Sequence, residues 1–127
     1  MADSITVVLA DDEHLVRAGL RLILEAEPDI DVVGEAGDGR QAVDLTRRLR
    51  PDVVLMDLNM PGMTGDQAFE ELKALDPQVP VVFVSGYWDR DLERKLRGMG
   101  ALGFVQKPYE AATLRDAIVQ AMAAQTS

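Results

Sequence analysis

Short β-branched apolar runs alternate with longer segments of helical periodicity five times along this chain of 127 residues. The runs occupy 5–10, 31–35, 53–57, 81–85 and 102–106. Between and after them, apolar residues recur at helical spacing: Val16, Gly19, Leu20 and Ile23; Ala42, Leu45, Thr46 and Leu49; Ala68, Phe69, Leu72 and Leu75; Leu92, Leu96 and Met99; Leu114, Ala117, Ile118, Ala121 and Met122. A strand repeats every second residue and a helix every 3.6, so the pattern predicts a regular (βα)5 chain of the α/β class with a doubly wound parallel sheet. The continuous runs Thr6-Val7-Val8-Leu9 and Val53-Val54-Leu55-Met56 predict strands buried on both faces, hence central ones. Gly37 and Gly39 mark the turn into the second helix, Pro51 and Pro80 precede strands, and Gly98 and Gly100 close the fourth helix. No linker or repeat interrupts the pattern, so one domain over 1–127 is expected.

Composition narrows what such a chain does. Hydrophobic residues make up 47% but aromatics only 5%, so the core is aliphatic. A formal charge of −9 repels nucleic-acid phosphates and anionic membrane surfaces, which argues against direct DNA or membrane binding. With no cysteine there is neither thiolate chemistry nor a disulfide, and no secretory leader or apolar span of membrane length is read, so a cytoplasmic protein is expected.

The chemistry-bearing residues stand where the apolar runs end. Asp11, Asp12 and Glu13 follow the first, Asp57 ends the third, and Lys107-Pro108 follows the fifth. In an open parallel sheet the carboxyl ends of adjacent strands converge on the crevice where ligands bind. Clustered carboxylates repel one another unless a cation neutralises them, and Mg2+, which takes oxygen ligands and bridges carboxylates to phosphate, is the natural candidate. Asp57 is then a candidate nucleophile toward phosphorus and Lys107 a holder of phosphoryl oxygens. The alternative stays open at this point: Asp serves caps and turns, and Asp12 is placed to cap a helix beginning near His14.

Four separated segments together resemble the response-regulator receiver domain, the phosphorylatable module of two-component signalling. They are Leu9-Ala10-Asp11-Asp12-Glu13; Asp57 within the stretch from Leu55 to Gly65; Ser85-Gly86; and Lys107-Pro108. The resemblance covers essentially the whole chain and implies a flavodoxin-like sheet of order 2-1-3-4-5. It implies that Asp57 accepts a phosphoryl group from a phosphohistidine on a sensor histidine kinase or phosphotransfer protein. Asp12 and Asp57 would ligate Mg2+ directly, Asp11 mainly through water, and Asn59 through its backbone carbonyl, while Lys107 anchors the phosphoryl group.

The same resemblance implies a switch. Ser85 would donate its hydroxyl to the new phosphate, and Phe104, where the family often has tyrosine, would turn into the space vacated; with no phenolic hydroxyl, that step rests on packing alone. The Lys107-Pro108 peptide is expected to be cis. Asn59 and the bulky Tyr87 stand where the family tunes autodephosphorylation, and a slow decay is expected. The fourth helix, with Asp89, Arg90, Glu93, Arg94 and Arg97, joins the fifth strand and last helix in the usual output face, open to a second copy or a downstream effector. Trp88 is either an anchor for a partner or packing over the crevice rim. The expected protein is a signalling switch that promotes its own phosphorylation and dephosphorylation rather than an enzyme, as a stand-alone receiver or a fragment of a longer regulator.

Three other readings fit less well. A flavodoxin-like cofactor binder needs a Ser/Thr/Gly-rich loop after the first strand, where this chain has Asp11-Asp12-Glu13-His14. A haloacid-dehalogenase-type phosphatase needs a second acid two residues after its nucleophile, where Asn59 stands. A constitutive interaction module has no need for the full set of site residues.

Overall fold

The computed structural model describes residues 4–86 and 89–126. Ten elements alternate as the periodicity requires: β1 (Ile5–Ala10), α1 (His14–Glu25), β2 (Ile30–Ala36), α2 (Gly39–Leu49), β3 (Val53–Asp57), α3 (Gly65–Leu75), β4 (Val81–Ser85), α4 (Arg90–Gly98), β5 (Gly103–Gln106) and α5 (Ala111–Thr126). The strands form one parallel sheet in the order β2-β1-β3-β4-β5. This is the flavodoxin-like arrangement, with the chain reversing its winding direction between β1 and β3.

Burial follows from that order. β3 and β4 are buried along their whole length and β1 over its last four residues, whereas edge strand β2 alternates at its start. The sheet separates two cores. On one face Val8, Met56, Val81 and Phe83 meet Ala42, Val43, Ala68, Phe69, Leu72 and Leu96 from α2, α3 and α4. On the other, Val7, Leu9, Leu55, Val82 and Val105 meet Leu20 and Leu24 of α1 and Leu114, Ile118 and Ala121 of α5. Side-chain alternation assigns each strand residue to one layer.

Helix starts are fixed locally. Asp38 accepts the Gln41 amide at 2.8 Å, and Asp89 accepts those of Asp91 and Leu92. At α3, Gln67 Oε1 accepts the Thr64 amide at 3.0 Å. Ion pairs tie elements distant in sequence: Arg115 forks onto Asp29 at 2.7 and 3.0 Å, and Arg40 onto Glu71 at 2.7 and 3.0 Å.

Details of the helical faces differ from the periodicity. In α1 the buried residues are Leu20 and Leu24, while nothing lies within 4 Å of a Cβ placed at Gly19. Leu49 and Leu75, each in the last turn of its helix, are part-exposed, Leu49 with one methyl still over Gly34 of β2. β2 extends one residue further at each end than expected, since Ile30 and Ala36 pair with Ile5 and Ala10, and β5 starts one residue later.

Candidate functional site at the carboxyl ends of the strands

Register brings the predicted residues to one level. Ala10 pairs with Met56 and Asp57 with Val84, so Asp11 lies beside Asp57 one step past β1. Ser85 pairs with Gln106, and the Lys107 amide donates to the Ser85 carbonyl at 2.8 Å. Three strands thus deliver Asp11, Asp57 and Lys107 to one crevice, and alternation gives all three the parity of the α1/α5 face.

Asp11 is 1% exposed and Asp57 4% exposed, whereas Asp12 is exposed at the rim. Carboxylate oxygens of Asp11, Asp12 and Asp57 all lie within 4.8 Å of one another. Lys107 Nζ is 3.4 Å from Asp11 Oδ2 and 3.5 Å from Asp57 Oδ2, the long end of hydrogen-bond range. The other Asp57 oxygen, Oδ1, accepts the Asn59 amide at 3.1 Å. Asn59 therefore touches the site through its N–H, beside the carbonyl expected as a ligand. The peptide Lys107-Pro108 is cis, as expected.

Burial pushes the Asp57 carboxyl above its ordinary range, against the opposing pull of the Asn59 N–H and the Lys107 ammonium. For Lys107, burial acts to lower the pKa, but Asp57 and Asp11 outweigh it and raise the ammonium above its usual value. The two partners thus differ in what dominates: desolvation at the aspartate, attraction at the lysine. Three carboxylates against one ammonium leave an excess of negative charge, and every donor in the set is a hard oxygen. That set fits a hard divalent cation such as Mg2+.

The capping alternative for Asp12 is not what the chain does. Glu13 is the residue before α1 and makes no side-chain cap; the turn is closed instead by Asp11 Oδ1, which accepts the Glu13 amide at 2.9 Å. Asp12 is left facing the crevice with the other two carboxylates.

Ser85 and Phe104 belong to the opposite face. Both share the parity of Phe83, which faces α3 and α4. The Phe104 ring stacks on Phe83 with centroids 5.7 Å apart, and the Arg97 guanidinium lies 5.0 Å above it. A cavity of about 20 Å³ lies among Leu58, Ser85, Leu92 and Phe104. It has room for about one water. Tyr87 and Trp88 lie outside the described residues.

Two groups here do something the sequence reading did not foresee: Gly65, expected to shape the loop into the third helix, and Arg17, assigned no role. Gly65, the first residue of α3, packs so closely on β3 that an added Cβ would collide with the Asp57 carbonyl oxygen and sit 2.9 Å from Leu58 Cα. Arg17 of α1 reaches back to the Asp11 carbonyl at 2.6 Å. Neither has a local signature; an arginine one turn beyond an acidic cluster is the signal that could have found the second.

A family model described as the response regulator receiver domain matches residues 7–119. The transcriptional regulatory protein LiaR of Bacillus subtilis is 42% identical over 90% of this chain and 54% of its own length. The nitrate/nitrite response regulator protein NarL of Escherichia coli K12 is 39% identical over 93% of this chain and 55% of its own length. The chain thus spans about half the length of these curated relatives. The solved signal receiver domain of a putative response regulator NarL from Mycobacterium tuberculosis superposes with a TM-score of 0.90 at 30% identity, covering 96% of this chain and 98% of that one.

Proposed function

The chain belongs to the response-regulator receiver family, and on that premise we propose that it is a phosphoacceptor switch in which Asp57 takes a phosphoryl group from a phosphohistidine donor. The observation that carries the reading is the meeting of Asp57, Asp11, Asp12 and Lys107 at one level of the sheet, with the acceptor carboxylate flanked by an ammonium and two further carboxylates.

An oxygen of Asp57 attacks phosphorus; the new O–P bond forms as the P–N bond of the donor breaks, and the leaving imidazole nitrogen takes a proton. The transition state is loose, so the protein contributes positioning and charge. Lys107 holds a phosphoryl oxygen, and the Asn59 N–H orients the acceptor carboxylate through Oδ1, leaving Oδ2, on the Lys107 side, as the attacking oxygen. Asp11, Asp12 and Asp57, with the Asn59 carbonyl, would hold Mg2+, which supplies positive charge to the phosphoryl oxygens when bound. Attack by water on the acyl phosphate returns the carboxylate and releases inorganic phosphate, ending the signal.

The modified site gains about 1.5–2 negative charges and three acceptor oxygens. Ser85 then donates to one of them, and Phe104 moves with it, altering the face formed by α4, β5 and α5 that a second copy or an effector reads. This is a signalling role, with the chain as one receiver unit in the cytoplasm; among the described residues no helix is long and apolar enough to cross a membrane. The donor, a sensor histidine kinase or phosphotransfer protein, approaches past α1, where Leu15 and Leu22 are 84% and 74% exposed.

Acetyl phosphate with Mg2+ is expected to add one phosphoryl group, read by intact mass, and Asp57→Asn to abolish the addition. Undiminished labelling of that variant would sink the assignment.

A further inference from the structure

The turn that carries Asp11 and Asp12 follows β1, and its first amide, that of Asp11, donates to the Ala36 carbonyl of β2 at 3.0 Å. Inside the turn, Asp11 Oδ1 accepts the Glu13 amide. From outside, Lys107 Nζ lies 3.4 Å from the Asp11 side chain, and Arg17 Nη1 donates to the turn's backbone, at the Asp11 carbonyl, at 2.6 Å. Arg17 is only 15% exposed, and its guanidinium is itself fixed, with Nε donating to Glu35 Oε1 at 3.0 Å. Glu35 lies on β2 and takes a second bond, through Oε2, from Arg21 Nη1 at 2.5 Å. Arg21 and then Arg17, against the opposing effect of burial, hold the Glu35 carboxyl below its ordinary range, so it is ionised at neutral pH. The result is a fixed chain of contacts from edge strand β2, through Glu35 and Arg17, to the backbone of the acidic turn.

We propose that Arg17 is a positioning residue, which clamps the Asp11–Asp12 turn to β2 and so sets the two carboxylates for cation binding. The inference rests on the phosphoacceptor reading of the site and adds to it a part for α1 and β2. Its logic has a sign. Arg17 is a cation near a cation site, so if its charge alone mattered, removing it would tighten Mg2+ binding. If it clamps, removing it weakens binding, because carboxylates no longer held in place must be ordered by the ion itself. Partners that orient metal ligands typically account for about 10–100-fold in metal affinity.

The test is the Mg2+ dissociation constant of the unphosphorylated protein, by isothermal titration calorimetry, for wild type, Arg17→Met, Arg17→Lys and Glu35→Gln. Arg40→Ala serves as a control, since it breaks an ion pair between α2 and α3 remote from the turn. Arg17→Met is expected to weaken Mg2+ binding at least about tenfold. Arg17→Lys, which keeps the charge but loses the fork, should weaken it too, and Glu35→Gln to a smaller degree. Arg40→Ala should lower the unfolding temperature while leaving Mg2+ affinity within twofold of wild type. At saturating Mg2+ the Arg17 variants should still be labelled by acetyl phosphate. Unchanged or tighter Mg2+ binding in Arg17→Met overturns the inference, as does an equal loss in Arg40→Ala. Should Arg17→Met fail to fold, Arg17→Lys and Glu35→Gln carry the same comparison. A wild type that neither binds Mg2+ nor labels sinks the underlying reading instead.

Discussion

Asp57 is buried like a core residue yet carries a titratable carboxyl. Its carboxyl is raised by burial, so the folded protein takes up this proton more readily than the unfolded chain does. The sign follows for this one group: its contribution to stability is greatest below the ordinary carboxylate range, falls as pH rises through the ordinary value, and levels off above the raised folded value. Asparagine at this position has no charge to desolvate. Asp57→Asn should therefore unfold at a higher temperature than wild type at pH 7 in metal-free buffer, and the two should converge toward pH 3; thermal melts across that range check it. A variant less stable than wild type at pH 7 would mean that Asn59 and Lys107 already satisfy the charge. Lys107 has the opposite sign. Its ammonium is favoured by folding and stays charged until well into the alkaline range. At 3.4 and 3.5 Å its contacts with the two carboxylates are at the long end of hydrogen-bond range. Lys107→Ala should remove a charge-assisted contact worth about 1.5–3 kcal/mol, seen as a loss of roughly 10–150-fold in the rate of acetyl phosphate labelling at subsaturating donor.

Elements were the most legible level of this chain, because the switch between periods of 2 and 3.6 is strongest where strands are buried on both faces. β3 reads without error for that reason. The carboxylates and Lys107 were legible too, since they directly follow such runs. What sequence could not give is contact between elements at their ends. Leu24 was overlooked and Gly19 favoured on α1, because periodicity ranks neighbouring turns alike while only the sheet decides which are covered. Arg17 carries no local mark of its hold on the Asp11 carbonyl, which depends on the placement of β2. The close approach of α3 to β3 is likewise invisible until the chain is folded. Gly65 donates its amide to the Leu58 carbonyl at 3.0 Å and leaves no room for a Cβ against the Asp57 carbonyl. Both opposing groups are backbone, so neither can rotate away. Gly65→Ala should cost about 1–3 kcal/mol by overpacking, measured by urea unfolding, and should slow labelling of Asp57 by shifting the end of β3. Full stability with full labelling would show that α3 pivots freely, contrary to the packing of Ala68 and Phe69.

At the scale of the whole molecule, the carboxyl edge of the sheet concentrates negative charge in a chain that already carries −9. Both cores end on this edge, so repulsion there opposes the closure of the entire fold rather than of one loop. A cation that binds the folded site and not the dispersed unfolded carboxylates stabilises by mass action, by about 2.7 kcal/mol at a hundred times its dissociation constant. In a chain of this length that corresponds to roughly 10 °C in the unfolding midpoint. Saturating Mg2+ should produce a rise of that order, and EDTA should reverse it. Asp12→Ala tests the origin, because Asp12 is exposed and contributes little to packing. It should leave the metal-free midpoint almost unchanged while removing most of the Mg2+ response. Sodium chloride at matched ionic strength screens surface repulsion without coordinating, so it should recover only a fraction of the shift. If sodium chloride matches Mg2+, or if Asp12→Ala responds like wild type, the stabilisation is general screening of an acidic protein and the edge of the sheet holds no specific cation.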